Sequence, residues 1–177
     1  MFLDAARHPV ARTLELHWQE IREEMRAVSR EGFESVADPL VASGRWVALG
    51  LFDALDPARA QRWSASSAAC PKTFRLLQRI EGLQVAAFLL MTPGTRLCPH
   101  RDMQDPRFLN FMLPLDGGAH AWMRVGCEKR MHADGRCVLF DPRTEHEAGN
   151  DGPGDRVTLF AAVGVSSAFL PPRDRVD

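Results

Sequence analysis

The pattern in this 177-residue chain best suited to chemistry is Pro99-His100-Arg101-Asp102. Residues two apart on an extended strand share a face, so His100 and Asp102 would aim an imidazole and a carboxylate into one space. An imidazole, a carboxylate and a second, distant imidazole make the facial triad of non-haem Fe(II) oxygenases. That triad leaves coordination positions open for a co-substrate and oxygen. With six histidines in the chain, one H-x-D is weak by itself. His132-Ala133-Asp134 supplies a control, because Gly135 follows it directly and Asp-Gly between apolar stretches is a hairpin signal. His132 therefore reads as a strand-end residue and Asp134 as a turn residue. The first H-x-D instead follows a Pro-Gly turn and a buried strand.

The second imidazole is expected on a later strand. His146 follows Asp141-Pro142-Arg143-Thr144-Glu145, where a strand resumes after the apolar Val138-Leu139-Phe140. Arg156 then opens the strand Val157-Thr158-Leu159-Phe160. The intervening Gly149-Asn150-Asp151-Gly152-Pro153-Gly154 reads as a hairpin connection that returns Arg156 beside His146 on the neighbouring strand. A guanidinium there suits a carboxylate held by two parallel N–H bonds. The competing reading is a strand-edge surface arginine, since only Lys72 and Lys129 among the 22 cations are lysine.

The elements that must hold these residues divide near Gly82. Apolar residues Val10, Leu14, Trp18, Ile21, Met25 and Val28 mark one face of a single helix over residues 10–28. Asp38-Pro39 and Ser43-Gly44 break the pattern, and residues 46–52 read as a short strand. A second helix is expected from Pro71 through Phe74, Leu77 and Ile80, with Gly82 as its stop. Beyond it, short apolar runs with turn punctuation predict strands at 85–91, 108–115, 121–125, 130–132, 136–140 and 156–163. The expectation is one domain over residues 1–177, with a helical part at about 1–82 packed on a β core at about 83–165.

Composition narrows the function classes. The 45% hydrophobic and 25% charged content is that of a soluble globular protein, and a net charge of -1 gives no excess to neutralise nucleic-acid phosphates. No apolar run approaches the ~20 residues of a membrane span, and the start lacks a signal-peptide layout. Cys70, Cys98, Cys127 and Cys137 are scattered with no C-x-x-C pair, which makes a cytoplasmic, reducing compartment the expectation.

Several motifs together make the chain similar to a known family. Cys70-Pro71-Lys72-Thr73, Leu76-Leu77, Pro93-Gly94-Thr95 and Pro99-His100-Arg101 form the first half of the likeness. Val138-Leu139-Phe140-Asp141 through His146-Glu147 to Arg156 form the second. In these, over about residues 35 to 165, the chain resembles the aspartyl/asparaginyl β-hydroxylases. The resemblance implies a mainly β protein with flanking helices on the double-stranded β-helix, or jelly-roll cupin, fold. It also implies an Fe(II)- and 2-oxoglutarate-dependent dioxygenase that uses O2, with ascorbate as reductant in vitro, and releases succinate and CO2. His100 and His146 would be iron ligands, and Arg156 would hold the distal carboxylate of 2-oxoglutarate. Animal-type members have glycine where this chain has Asp102, so the H-x-D makes it look more like the proline cis-hydroxylases, with Asp102 as the third ligand. Asn110 takes the place of a family histidine near the 2-oxoglutarate C1 carboxylate. Arg124 and Arg107 are weaker candidates for contact with substrate.

The implied substrate is an amino acid, free or within a peptide or carrier-bound intermediate. The lipid-hydroxylase branch is disfavoured for want of a membrane segment. Two rival readings keep the fold: a metal-binding cupin that does not use 2-oxoglutarate, and a non-catalytic cupin that binds small molecules.

Overall fold

The computed structural model describes residues 1–36, 39–102 and 108–164. In chain order, β1 (Phe2–Leu3) leads into α1 (Pro9–Leu16) and α2 (Trp18–Ala27), followed by β2 (Glu34–Ser35), β3 (Val41–Ser43) and β4 (Trp46–Asp53). Three short helices follow, α3 (Pro57–Arg62), α4 (Ser64–Ala69) and α5 (Pro71–Gln78). The rest is strand: β5 (Leu83–Met91), β6 (Arg96–Leu97), β7 (Phe108–Asp116), β8 (Ala121–Val125), β9 (Glu128–Met131), β10 (Val138–Phe140), β11 (His146–Asn150) and β12 (Arg156–Gly164). Two antiparallel sheets result, a larger one ordered β1-β10-β7-β12-β5-β4-β2 and a smaller one ordered β3-β6-β11-β8-β9. This is a double-stranded β-helix, as expected.

Alternation along the strands explains how one sheet faces two environments. In β5, Ala86, Phe88 and Leu90 join the core beneath the helices, while Val85, Ala87 and Leu89 line an interior cavity. In β12, Val157, Leu159, Ala161 and Val163 face the helices, and Arg156, Phe160 and Ala162 face the cavity. In β7, Leu109, Phe111, Leu113 and Leu115 face the helices, and Asn110 and Met112 face inward. Ala11 and Leu14 of α1, Ile21 and Met25 of α2 and Leu77 of α5 complete the helix-side core. Phe88 and Phe111 are fully buried there, and truncating either to alanine would cost about 3–5 kcal/mol.

Three features differ from the expectations. The helix expected over 10–28 is two helices broken at His17, because a spacing of three and four fits one long helix or two short ones equally well. The break sets α1 against β7 and α2 between β7 and α5. The part before Gly82 also holds more strand than the one expected at 46–52, since β1 and β2 join β4 in the larger sheet.

The third difference matters most for the site. Residues 149–154 are not a hairpin within one sheet: β11 pairs with β6 and β8, whereas β12 pairs with β5 and β7. The segment crosses from the smaller sheet to the larger. Asn150 pins the crossing, with its Nδ2 donating to the carbonyls of Met91 and Gly154 and its Oδ1 accepting from Gly152 N. Arg156 and His146 therefore face one cavity from different sheets instead of lying along one ladder.

At the β4 end, Leu55, Arg59 of α3 and Trp63 close over the same interior. Asp56 caps α3 by accepting from the backbone of Ala58 and Arg59, and Pro57 occupies its first turn. Trp63 lies so close to β4 at Gly50 that a Cβ there would stand 1.9 Å from the indole, so only glycine fits.

Candidate metal centre and anion pocket

Backbone pairing alone brings the two histidines together. His100, just past β6, forms a two-bond bridge with His146 at the start of β11, with N–H···O distances of 2.9 and 2.8 Å. Opposed residues on antiparallel strands project to one side, which puts the imidazole centroids 4.3 Å apart. The pairing continues as Asp102 N donates to Pro142 O at 3.0 Å, so Asp102 returns to the face of His100.

Each ring is then oriented by a carbonyl two residues earlier in the chain. The Nδ1 of His100 lies 2.7 Å from Cys98 O, and that of His146 lies 2.9 Å from Thr144 O. A carbonyl oxygen only accepts, so each Nδ1 carries a proton and each Nε2 is the nitrogen left to turn toward a metal. Both Nε2 atoms face Asp102: His100 Nε2 is 3.5 Å from Oδ1 and His146 Nε2 is 3.4 Å from Oδ2. The three donor atoms lie within 4.8 Å of one another. Three donors about 2.1 Å from a common ion stand about 3 Å apart, so this set fits a 2-His-1-carboxylate centre.

Asn110 reaches the same carboxylate, donating from Nδ2 to Asp102 Oδ2 at 2.9 Å. Burial by itself would raise the Asp102 carboxyl, but the hydrogen bond and charge of His146, the charge of His100 and the Asn110 amide outweigh it and hold Asp102 below the usual range. Asp102 thus stays anionic, as a metal ligand must. Arg101, between the ligands, points away and donates to Arg143 O at 2.7 Å.

Arg156 stands apart from this cluster on the same cavity wall. It is buried, and among the described residues no carboxylate pairs with it. Nη1 lies 3.0 Å from Met91 Sδ and Nη2 lies 3.3 Å from His132 Nδ1, while Nε has no partner. Burial draws Arg156 down to about 10, which still leaves it charged at neutral pH. Burial, with the Arg156 charge second, pulls His132 well below its ordinary value, so the ring is neutral and its Nδ1 accepts from Arg156. A buried cation without a counter-ion costs several kcal/mol. Such a group on a cavity wall is a ready-made receptor for an anion.

The cavity encloses about 580 Å³ between the sheets. Away from Arg156 and the His100 cluster its wall is mostly apolar, with Trp46, Ala48, Val85, Ala87 and Leu89 from β4 and β5 and Leu55, Arg59 and Trp63 from the α3 region. His100, Asp102, His146, Asn110 and Arg156 all line it. Arg124 does not: Met123 faces inward instead, and Arg124 pairs outside with Glu147 and with Glu145. Its considered substrate contact therefore lacks a geometric basis. Arg107 lies outside the described residues. The sequence reading did not anticipate His132 against Arg156 or Arg59 in the cavity wall. His132 carried a signal in its H-x-D, but the Asp-Gly turn that follows governs only Asp134.

Comparison with known proteins agrees with this architecture. Residues 15–164 match the Aspartyl/Asparaginyl beta-hydroxylase family. The ornithine lipid ester-linked acyl 2-hydroxylase of Rhizobium tropici is 34% identical over 95 residues, which is 52% of this chain and 34% of that protein. The aspartyl/asparaginyl beta-hydroxylase of Homo sapiens is 25% identical over 177 residues, 94% of this chain and 22% of that protein. The matched stretches thus span only about a third and a fifth of those curated relatives.

Among solved structures, a Pseudomonas putida prolyl-4-hydroxylase superposes with a TM-score of 0.52 at 16% identity, covering 90% of this chain and 89% of that one. A predicted oxalate decarboxylase from Thermotoga maritima gives 0.50 at 12% identity, covering 75% and 92%. At these identities the likeness is one of fold. The family match over residues 15–164 goes further, and the chain belongs to the aspartyl/asparaginyl beta-hydroxylase family.

Proposed function

We propose that this hydroxylase-family protein is an Fe(II)- and 2-oxoglutarate-dependent dioxygenase of the cytoplasm that hydroxylates an unactivated C–H of an amino acid, free, peptidyl or carrier-bound. The observation that carries the reading is Arg156, buried and with no carboxylate partner among the described residues, on the same cavity wall as His100, Asp102 and His146. The four cysteines are unpaired, consistent with a reducing compartment, and no helix among the described residues is long and apolar enough to cross a membrane.

In this reading the Nε2 atoms of His100 and His146 and the carboxylate of Asp102 hold Fe(II). Bound iron supplies the oxygen chemistry by which 2-oxoglutarate becomes succinate and CO2 while a C–H bond becomes C–OH. The chain's own residues do the positioning. Arg156 neutralises the distal carboxylate of 2-oxoglutarate, its Nε and Nη groups replacing water with fixed donors. Met91 and neutral His132 steady the guanidinium without supplying a competing anion. Asn110 fixes the rotation of Asp102 and so its free lone pairs. The apolar β4 and β5 walls exclude water and leave space for the substrate's carbon skeleton.

Protein loaded with Fe(II), ascorbate and 2-oxoglutarate should form succinate, with a +16 mass product, when screened against amino acids and short peptides. Absence of 2-oxoglutarate binding and of succinate across that screen would overturn the proposal. Arg156→Met separates it from a cupin that uses no 2-oxoglutarate: metal binding persists while 2-oxoglutarate binding is lost.

A further inference from the structure

The polar side chains of the cavity wall fall into two groups. One is the His100–Asp102–His146 cluster with Asn110 and Arg156; the other, among the described residues, is Arg59 alone. Arg59 is aimed by neighbours on two sides. Its Nε donates to Asp53, whose side chain is fully buried and also accepts from the backbone N–H groups of Leu55 and Asp56 at 2.9 Å. Its guanidinium carbon lies 5.4 Å from the Trp63 ring centroid, and Trp63 is itself locked against Gly50. These contacts engage only the Nε edge and one face. Both Nη groups lack a partner among the described residues, leaving four N–H donors in a fixed fork. This end of the wall meets solvent, with Leu55 49% exposed and the Arg59 side chain 38% exposed.

An ordinary surface arginine is loose. This one is held by a buried carboxylate and an indole, and it stands at the end of an apolar wall built from Trp46, Ala48, Val85 and Ala87. Preorganisation of that kind lowers the entropy lost on binding an anion, and planar bidentate geometry favours a carboxylate. We propose that Arg59 is the substrate's anion site: the enzyme takes molecules with a carboxylate on an apolar body, the carboxylate on the Nη edge of Arg59 and the body along the β4–β5 wall toward His100, Asp102 and His146. The inference rests on the reading of this cavity as the catalytic pocket with 2-oxoglutarate on Arg156. It deepens that reading by naming the substrate class and the residue that selects it.

The test is binding without turnover, in protein loaded with redox-inert Mn(II) and saturated with 2-oxoglutarate so that Arg156 is occupied. Two matched pairs serve as probes, N-acetyl-L-leucine against N-acetyl-L-leucinamide and octanoate against octanamide, titrated by calorimetry. At least one carboxylate is expected to bind about tenfold tighter than its amide, the preference surviving in part in Arg59→Lys and vanishing in Arg59→Gln. The double variant Asp53→Asn/Arg59→Gln removes the buried carboxylate that Arg59→Gln leaves unpaired, and is expected to lose the preference in the same way. Equal binding of acid and amide, no binding of any probe, or a preference retained in Arg59→Gln but lost in Arg156→Met would each overturn the proposal. A separate 2-oxoglutarate titration distinguishes this failure from that of the underlying reading: 2-oxoglutarate binding that Arg156→Met abolishes and Arg59→Gln leaves intact supports the cavity assignment whatever the probes do.

Discussion

The Nη2 of Arg156 stands 3.3 Å from Nδ1 of His132, and both side chains are buried. Because His132 is neutral there, it steadies the guanidinium without satisfying its charge. We expect His132→Leu to raise the KM for 2-oxoglutarate about tenfold with a much smaller change in kcat, since the lost interaction positions Arg156 before the chemistry begins. His132→Gln restores an acceptor and should recover much of the loss. A parallel fall in kcat and kcat/KM with unchanged KM would contradict this role.

The same histidine should leave a mark on stability. Its folded-state pKa is depressed, chiefly by burial, so the unfolded chain binds the proton more readily. Stability is then fully present above the unfolded value of about 6.5 and declines as pH falls below it. Denaturant titrations from pH 8 to 5 should show a loss approaching about 1.4 kcal/mol per unit below that point, and His132→Gln should flatten the slope. An unaltered slope in the variant would assign the loss to other groups, His8 among them, whose pKa burial also lowers.

Removing the buried cation should stabilise the empty protein. Arg156→Met deletes a buried charge that has no counter-ion among the described residues and keeps an apolar stem of similar length. The ligand-free variant is expected to gain about 1–3 kcal/mol, read as a Tm rise of several degrees. Saturating 2-oxoglutarate should raise the Tm of the unmodified protein and leave that of Arg156→Met unchanged. A ligand-free variant that melts lower would show that the guanidinium supports the fold.

Asn110 tests the carboxylate ligand without touching it. Asn110→Ala removes the 2.9 Å bond to Asp102 Oδ2 and leaves that carboxylate freer to rotate. Affinity for Fe(II), or for Mn(II) as a redox-inert probe, should fall about 10–100-fold. Metal affinity that stays constant while the 2-oxoglutarate KM rises would instead place Asn110 at the co-substrate.

What could be read from the sequence follows from the range of the physics involved. The pair His100 and Asp102 is legible because strand periodicity is local, and His146 is legible because a strand restarts at it. The strand at 85–91 announces itself as a continuous apolar run, since one of its faces joins the core and the other lines the cavity. The crossing at residues 149–154 is not legible. Whether a Gly-Asn-Asp-Gly stretch turns within a sheet or passes between sheets depends on Asn150 finding the Met91 carbonyl, a partner 59 residues away. Arg59 escaped notice for a similar reason, because α3 is brief and gains its meaning only from β4 and Trp63.

The bridge between His100 and His146 joins the centre to the opening of the smaller sheet. Both imidazoles are carried by residues joined across the strands by a reciprocal pair of peptide hydrogen bonds. Any local opening that frees those two amides also separates the rings, so a metal held by both rings must oppose it. The amide protons of His100 and His146 therefore report occupancy of the centre directly. Their hydrogen exchange should slow when metal binds, in step with affinity, and this coupling makes the backbone itself a gauge of how firmly the site is held.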